Sequence, residues 1–430
     1  MSFRTKFILI LLSATLTLYT VVGGWIATSA QQPANDPNAQ LRIFESVLQH
    51  IQNDYVDEPN MDKVRAGALR GLAYGLDPYS TYLTPEQVRD YNTGSKNNQV
   101  GIGAELSQVA SYLYIIAPMK GSPADQAGLN AGDIIEYIDN KATRDISLYD
   151  AKQLLNGPAG SEVKLRVLRA NSAPLSISVK RGSSRAPAAE SRMEAGRIGV
   201  LRINSFGDGD AAEVRKRLQD LDKQGAQKIV LDMRDTAGGS LTEAAAVANL
   251  FIKDGVIAET IGREGKPLKT FTAESKDAIF HGPVVALINT GTAGAAEVVA
   301  SALLERNRGQ VVGEKSFGAG TEQQLFQLRG GDGLLLTTVK WATASGKTFL
   351  GEDRAHSGVA PSVEVKSQEV ADAVDPDELT GNDDDEVQKP DAGTEKDKAT
   401  TPAPPKPAAE DLQMKKALEL LKDKPAQKVG

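Results

Sequence analysis

Two spacings of apolar residues alternate along this chain. From Leu41 the positions Phe44, Val47, Leu48, Ile51 and Tyr55 recur at helical spacing. Leu69, Leu72 and Leu76 resume it after the break at Pro59, which predicts a small helical region reaching about Tyr91. From Gln99 to Lys180 the runs shorten to strand length around one helical stretch. A new strand starts at Ile198 and reaches Phe206, and Lys228 to Met233 reads as a buried strand. It leads through Arg234-Asp235-Thr236-Ala237-Gly238-Gly239 into a helix from Leu241 to Ile252. Pro283 to Thr290 is again short and apolar, and Ala295 to Leu304 turns helical with Glu297 in its first turn. Leu334 to Ala342 alternates, as a half-solvated strand does. Strands and helices in this order predict a partly parallel sheet covered by helices, so the fold class is α/β (α+β multidomain).

The join Gly291-Thr292-Ala293-Gly294 organises the rest. A strand that turns sharply into a helix N-terminus leaves backbone N–H groups unpaired, and such groups can face a developing oxyanion.

Composition narrows the chemistry. A chain of 430 residues, 40% hydrophobic, can bury two or three cores. With no Cys, a disulfide framework, a thiolate zinc site and a cysteine nucleophile are excluded, while an oxidising compartment stays permissible. The three His, at 50, 281 and 356, stand singly, which argues against an imidazole metal site or a Ser-His-Asp triad. No metal and no cofactor are expected. The net charge of −7 makes no case for nucleic acid, and eight acidic residues between 372 and 386 account for it.

The two ends read differently from the middle. Arg4 and Lys6 precede an apolar stretch from Phe7 to Ile26, and Thr28-Ser29-Ala30 offers small residues before Gln31. Residues 1–30 are therefore a signal peptide or a membrane anchor, and either one places the remainder in the periplasm or on the non-cytoplasmic side of a membrane. Residues 367–409 are acidic, then rich in Pro, Ala and Lys, and predict a disordered linker. Residues 410–424 form an amphipathic helix presenting Leu412, Met414, Leu418, Leu420 and Leu421. Alone it is marginal in water, so it is expected to dock on another copy or on the helical region near residues 41–91.

Around the central turn the chain resembles the carboxyl-terminal processing peptidases, or tail-specific proteases, from about Ala39 to Val365. In that family the turn reads S-A-S-A-S-E with the middle Ser as nucleophile, and a Lys in F-G-K-G is its general base. The frames T-A-G-A-A-E and F-G-A-G place Gly294 at the Ser position and Ala319 at the Lys position. Neither residue offers a nucleophile or a titratable group. The resemblance also implies a supporting role for Gln323 and oxyanion donors at Ala295, Gly238 and Gly239. Thr236-Ala237 departs from the family's Asn-Pro or Asn-Gly, and in Leu76-Asp77-Pro78-Tyr79-Ser80-Thr81-Tyr82-Leu83 a Tyr stands where His is usual.

Gly101-Ile102-Gly103-Ala104, followed by Ser122-Pro123-Ala124, Ala127-Gly128-Leu129 and Gly132-Asp133-Ile134-Ile135, resembles a PDZ domain. Its Gly-rich loop is expected to hold a peptide carboxylate through residues 101–104. The implied organisation is a helical region (37–98), a PDZ domain (99–182) and a core of the crotonase/ClpP-like peptidase type (195–366). Two functions compete. One is an exported pseudopeptidase that binds polypeptide C-termini or unfolded protein as a scaffold or regulator, alone, as a homo-oligomer or with a catalytically complete relative. The other is an active serine-type endopeptidase with a relocated pair drawn from Thr292, Ser301, Lys315 and Ser316.

Overall fold

The computed structural model describes residues 37–93, 99–144, 146–183, 188–367 and 410–422. The expected signal or anchor and almost all of the expected linker lie outside them. Among the described residues no helix is long and apolar enough to cross a membrane.

The chain divides after Ala68 into two units. In the first, α1 (Pro37–Asp54) precedes α2 (Met61–Tyr74), which continues past the division. Asn60 opens α2, its Oδ1 accepting the N–H of Lys63 at 3.0 Å, so the break expected at Pro59 is a helix start.

The second unit contains several sheets. After β1 (Thr81–Leu83) and α3 (Pro85–Thr93), an antiparallel region comprises β2 (Gln99–Val100), β3 (Ala104–Val109), β4 (Tyr112–Pro118), α4 (Pro123–Gln126), β5 (Ile134–Ile138), β6 (Lys141–Ala142), α5 (Leu148–Leu155), β7 (Gly157–Pro158), β8 (Glu162–Leu168) and β9 (Leu175–Lys180). Its sheet runs β3-β4-β5-β8-β9, with β6 on β5. Alternate residues of β8, Val163, Leu165 and Val167, turn inward against Leu106, Ile115 and Ile135 and the α5 side chains Leu148, Ala151 and Leu155. Ser147 caps α5 by accepting the Asp150 N–H at 3.1 Å.

The remainder is β10 (Ala189–Glu194), β11 (Ile198–Ile203), α6 (Asp210–Lys223), β12 (Lys228–Asp232), α7 (Leu241–Asn249), β13 (Val256–Ile261), β14 (Pro267–Thr272), β15 (Val284–Ile288), α8 (Ala295–Glu305), β16 (Gly309–Gly313), β17 (Thr321–Gln327), β18 (Gly333–Thr343), β19 (Val363–Glu364) and α9 (Leu412–Lys422). Six strands order as β10-β11-β12-β15-β16-β19, parallel from β11 onward. A second sheet orders β1-β18-β13-β14 with β17 on β18. Leu201, Ile203, Ile229, Leu231, Ala286 and Ile288 face α6, α7 and α8, as expected of a parallel sheet covered by helices.

The other face of that sheet corrects the reading of the tail. Ile198, Val200, Val230, Val285, Leu287 and Val312 pack against Met414, Ala417 and Leu421 of α9. The helix thus docks on the core of its own chain, whereas its sequence predicts docking near residues 41–91 or on another copy. Asp411 caps it by accepting the Met414 N–H at 2.9 Å and pairs with Arg234 at 2.9 Å. At the other end buried Lys228 donates its ammonium to the Leu421 carbonyl at 2.5 Å, satisfying an orphan acceptor of the last turn.

Candidate functional site

β15 is buried along its whole length and delivers the chain to the turn at Gly291. The turn is fixed from within. Asn289 Oδ1 accepts from Asp235 N at 2.9 Å and Gly291 N at 3.2 Å, and its amide donates to Asp235 Oδ1 at 2.8 Å. Gly294 then takes φ 62° and ψ −115°, a conformation that glycine adopts without strain, and α8 begins.

Glu297, in the first turn of α8, has no surface exposure and binds the two positions that matter. Its Oε2 accepts the N–H of Gly294 and the N–H of Ala319, each at 2.8 Å. Its Oε1 accepts the Gly318 N–H at 2.7 Å and the Ser316 hydroxyl. Burial pushes its pKa up to about 7 against these four donors. Gly294 and Ala319, far apart in sequence, are therefore neighbours across one carboxylate oxygen. Sequence reasoning missed this role; an acidic residue three positions after a turn Gly was the available signal, since that spacing lets a carboxylate reach back to the turn.

The expected oxyanion residues also converge. Gly238 and Gly239 have φ of 77° and 89°, and a Cβ on Gly239 would stand 2.6 Å from Phe206 Cβ. A Cβ on Gly294 would meet the Gly238 carbonyl at 3.3 Å. The Ala295 N–H, however, donates to that same Gly238 carbonyl at 3.2 Å, so in this arrangement it is engaged within the protein. Gln323 donates to Thr321 Oγ1 at 2.8 Å and Thr337 Oγ1 at 3.2 Å, and Thr337 donates on to Asp77 at 3.1 Å. The Leu76–Leu83 phrase is thereby tied to β18.

The candidates for a relocated pair are occupied elsewhere. Thr292 donates to the Met233 carbonyl at 2.9 Å and accepts the Asn289 N–H at 3.0 Å. Ser301 bonds back to Val298 O within its helix at 3.1 Å. Ser316 donates to Glu297 and accepts the Val359 N–H at 2.7 Å. Lys315 donates to the carbonyls of Arg354 and Ala355 at 3.2 and 2.6 Å, and its pKa is pushed down by burial and by the nearby cations Arg354 and Lys347. Among the described residues no hydrogen bond joins Lys315 to any of these hydroxyls.

Above the turn lies the antiparallel domain. Tyr114, Ile116 and Ile134 form a buried apolar cluster with Ala293 and Phe317, and Ala237 and Ala319 pack against it. The Tyr114 and Phe317 rings stack at 5.6 Å, and the Arg354 guanidinium lies 4.1 Å from the centre of the Phe317 ring. Tyr79 packs against the core of the antiparallel domain. Its hydroxyl lies 3.4 Å from that of Ser107, and burial raises its pKa further.

The loop from Gly101 to Ala104 is held by its carbonyls. Gly101, Ile102 and Gly103 accept from Gly182, Ala124 and Met119 at 3.1, 2.8 and 2.9 Å, and Gly103 has φ 73°. Two contacts cross from β3 to α5 and the residues before it: Gln108 donates to Ile146 O at 2.7 Å, and Lys152 of the helix pairs with Glu105 at 3.6 Å. A cavity of about 1000 Å³ opens beside Phe317 and Gly318, with Ser80, Ser107, Ile261 and Thr337 among its walls.

Residues 197–365 match peptidase family S41 and residues 114–169 match the PDZ domain. The chain is 31% identical over 360 residues to the carboxy-terminal processing protease CtpA of Bacillus subtilis, covering 84% of this chain and 76% of that one. It is 32% identical over 368 residues to a probable CtpA-like serine protease of Staphylococcus aureus, covering 84% and 73%. Among solved structures it is similar to a photosystem II D1 C-terminal processing protease, with a TM-score of 0.62 and 26% identity over 75% of this chain and 86% of that one.

Proposed function

The chain belongs to the CtpA-like carboxy-terminal processing proteases of peptidase family S41, and on that premise we propose that it is a member that holds polypeptide without cutting it. The observation that carries this reading is the pairing of Gly294 with Ala319 across Glu297 Oε2 at 2.8 Å each. These are the positions where the resemblance places nucleophile and base, and neither has a side chain able to attack a carbonyl or take a proton. Tyr114, Ile116 and Ile134 pack against Ala293 beside this pair, which keeps its surroundings apolar.

The test uses residues 31–430 incubated with an unfolded protein and a fluorophosphonate probe. No turnover and no labelling are expected; labelling that disappears on mutating Thr292, Ser301 or Ser316 would establish a relocated nucleophile instead. The converse variant is Gly294→Ser with Ala319→Lys, expected to return slow but measurable cleavage. A Ser at φ 62° costs about 1–3 kcal/mol in strain, so the gain in activity comes with a lower melting temperature.

The proposed ligands are polypeptide C-termini or unfolded segments met outside the cytoplasm, and the proposed protein partner is a second copy or a catalytically complete relative. Capture of a carboxylate falls to Gly101, Ile102, Gly103 and Ala104. Opening the Gln108 and Lys152 contacts opposes binding, so affinity is expected on the order of micromolar. Apolar-ended peptides should bind more tightly as free acids than as amides; equal binding would remove carboxylate capture.

A further inference from the structure

The turn that ends α5 carries the one Asn-Gly pair in the sequence, Asn156-Gly157. Asn156 caps the helix, its N–H donating to Lys152 O at 3.1 Å. Its side chain lies against the carboxylate loop, since a Cβ added to Gly101 would stand 2.8 Å from Asn156 Oδ1. Gly157 is fixed in kind by a neighbour. A Cβ there would stand 2.9 Å from Cδ and 3.0 Å from Nε of Arg181. That guanidinium donates to Leu154 O and Leu155 O, each at 2.9 Å, and so closes the last turn of α5. The packing of Arg181 therefore keeps a glycine directly after an asparagine.

In such a pair the carboxamide and the next backbone nitrogen can close into a cyclic imide, and with no Cβ on Gly157 nothing shields that nitrogen. The Gly157 nitrogen attacks Asn156 Cγ and gives up its proton. The N–Cγ bond forms, the Cγ–Nδ2 bond breaks, and ammonia leaves with that proton. Water then opens the imide. Opening at Cγ leaves Asp at 156, whereas opening at the main-chain carbonyl leaves an isoaspartyl link that runs through the former side chain. Both products carry a carboxylate, and water is the only co-reactant. The step is limited by the β2–β7 ladder, where Gly157 stands opposite Val100 and its nitrogen can turn towards Asn156 only when these two part. A ladder this short opens far more readily than the sheet beside it.

We propose that Asn156-Gly157 is a site of spontaneous modification, where loss of ammonia through a cyclic imide places a carboxylate against the Gly101–Ala104 loop and ends its capture of polypeptide C-termini. The consequence for binding rests on the carboxylate-capture reading; the chemistry does not. The new charge stands at the negative end of α5 and in contact with Gly101, so a ligand carboxylate entering the loop meets repulsion. Arg181 offers little relief, because its donors already serve Leu154, Leu155, Ser161 and Glu162.

The experiment ages the full chain for several weeks in mildly alkaline buffer at body temperature, then maps every asparagine by mass and every isoaspartyl link by enzymatic methylation. Conversion at 156 ahead of all other asparagines is expected, slower by roughly tenfold than in a synthetic peptide of residues 152–161 because the ladder must open first. A short valine-ended peptide as free acid should bind the aged chain more weakly than the fresh one, by roughly tenfold or more, while its amide binds both alike. Asn156→Gln, which closes an imide far more slowly, should keep its binding on ageing, and Asn156→Asp should show the loss without ageing. Asn156 intact in the aged chain while the synthetic peptide converts overturns the proposal. So does conversion that leaves free-acid binding unchanged. If the fresh chain binds acid and amide alike, carboxylate capture falls and the consequence for binding with it, whereas the mass map still decides the modification.

Discussion

A carboxylate withdrawn from water prefers its proton, and at Glu297 burial outweighs four donors and raises the pKa to about 7. In the unfolded chain the same group titrates near the ordinary value of about 4.3. The folded chain therefore keeps a proton that the unfolded chain loses, so this group's contribution to stability is fully present below about pH 4.3 and is lost as pH rises through about 7. The difference is on the order of 3 kcal/mol by pH 8. Denaturant midpoints should be lower near pH 8 than near pH 5. Glu297→Gln should flatten that difference and lower both midpoints, because an amide turns N–H groups toward donors; a pH-independent midpoint in the unaltered chain would contradict the assignment. Gly294 and Ala319 could be named from sequence because their frames are local. Glu297 was visible only as an acidic first-turn residue, since its partners Ser316, Gly318 and Ala319 reach it through the fold.

Among the elements, α9 shows how far a pattern goes. Its apolar face was legible at Met414, Leu418 and Leu421, but an amphipathic helix does not name its receptor. The receptor had left a trace: the run Val284–Ile288 is apolar on both faces, so α8 could cover only one of them. Leu421→Ala should cost about 2–5 kcal/mol, read as a shift in denaturant midpoint. A change under about 0.5 kcal/mol would mean that the helix does not dock in solution. Lys228→Met should also destabilise, by about 1–3 kcal/mol, because it leaves the Leu421 carbonyl without its buried donor. Truncation after Lys366 bares Val200, Val230, Val285 and Leu287, and self-association is the expected result in light scattering.

For the whole molecule, the decisive contact is the one between domains. Each domain could be recognised from its own landmarks, the Gly-rich loop and Ser-Pro-Ala of one, the turn and its helix in the other. No sequence signal paired Tyr114 with Phe317, because contacts across a domain interface carry no periodicity. Phe317→Ala removes both the Tyr114 stack and the ring beneath Arg354. Amides from Gly291 to Ala295 should then exchange at least tenfold faster, with the melting temperature only modestly reduced. Unchanged exchange would show that the packing against the turn does not depend on this stack.

The place of α9 in the chain has a consequence in time. Every strand that it covers is synthesised before it, and at about 5–20 residues per second the wait between β16 and α9 lasts on the order of 5–20 s. Through that interval the face formed by Val200, Val230, Val285 and Leu287 has no helix to cover it. A chain clipped before Asp411 would keep that face uncovered for good, so the tail is what completes the molecule's surface.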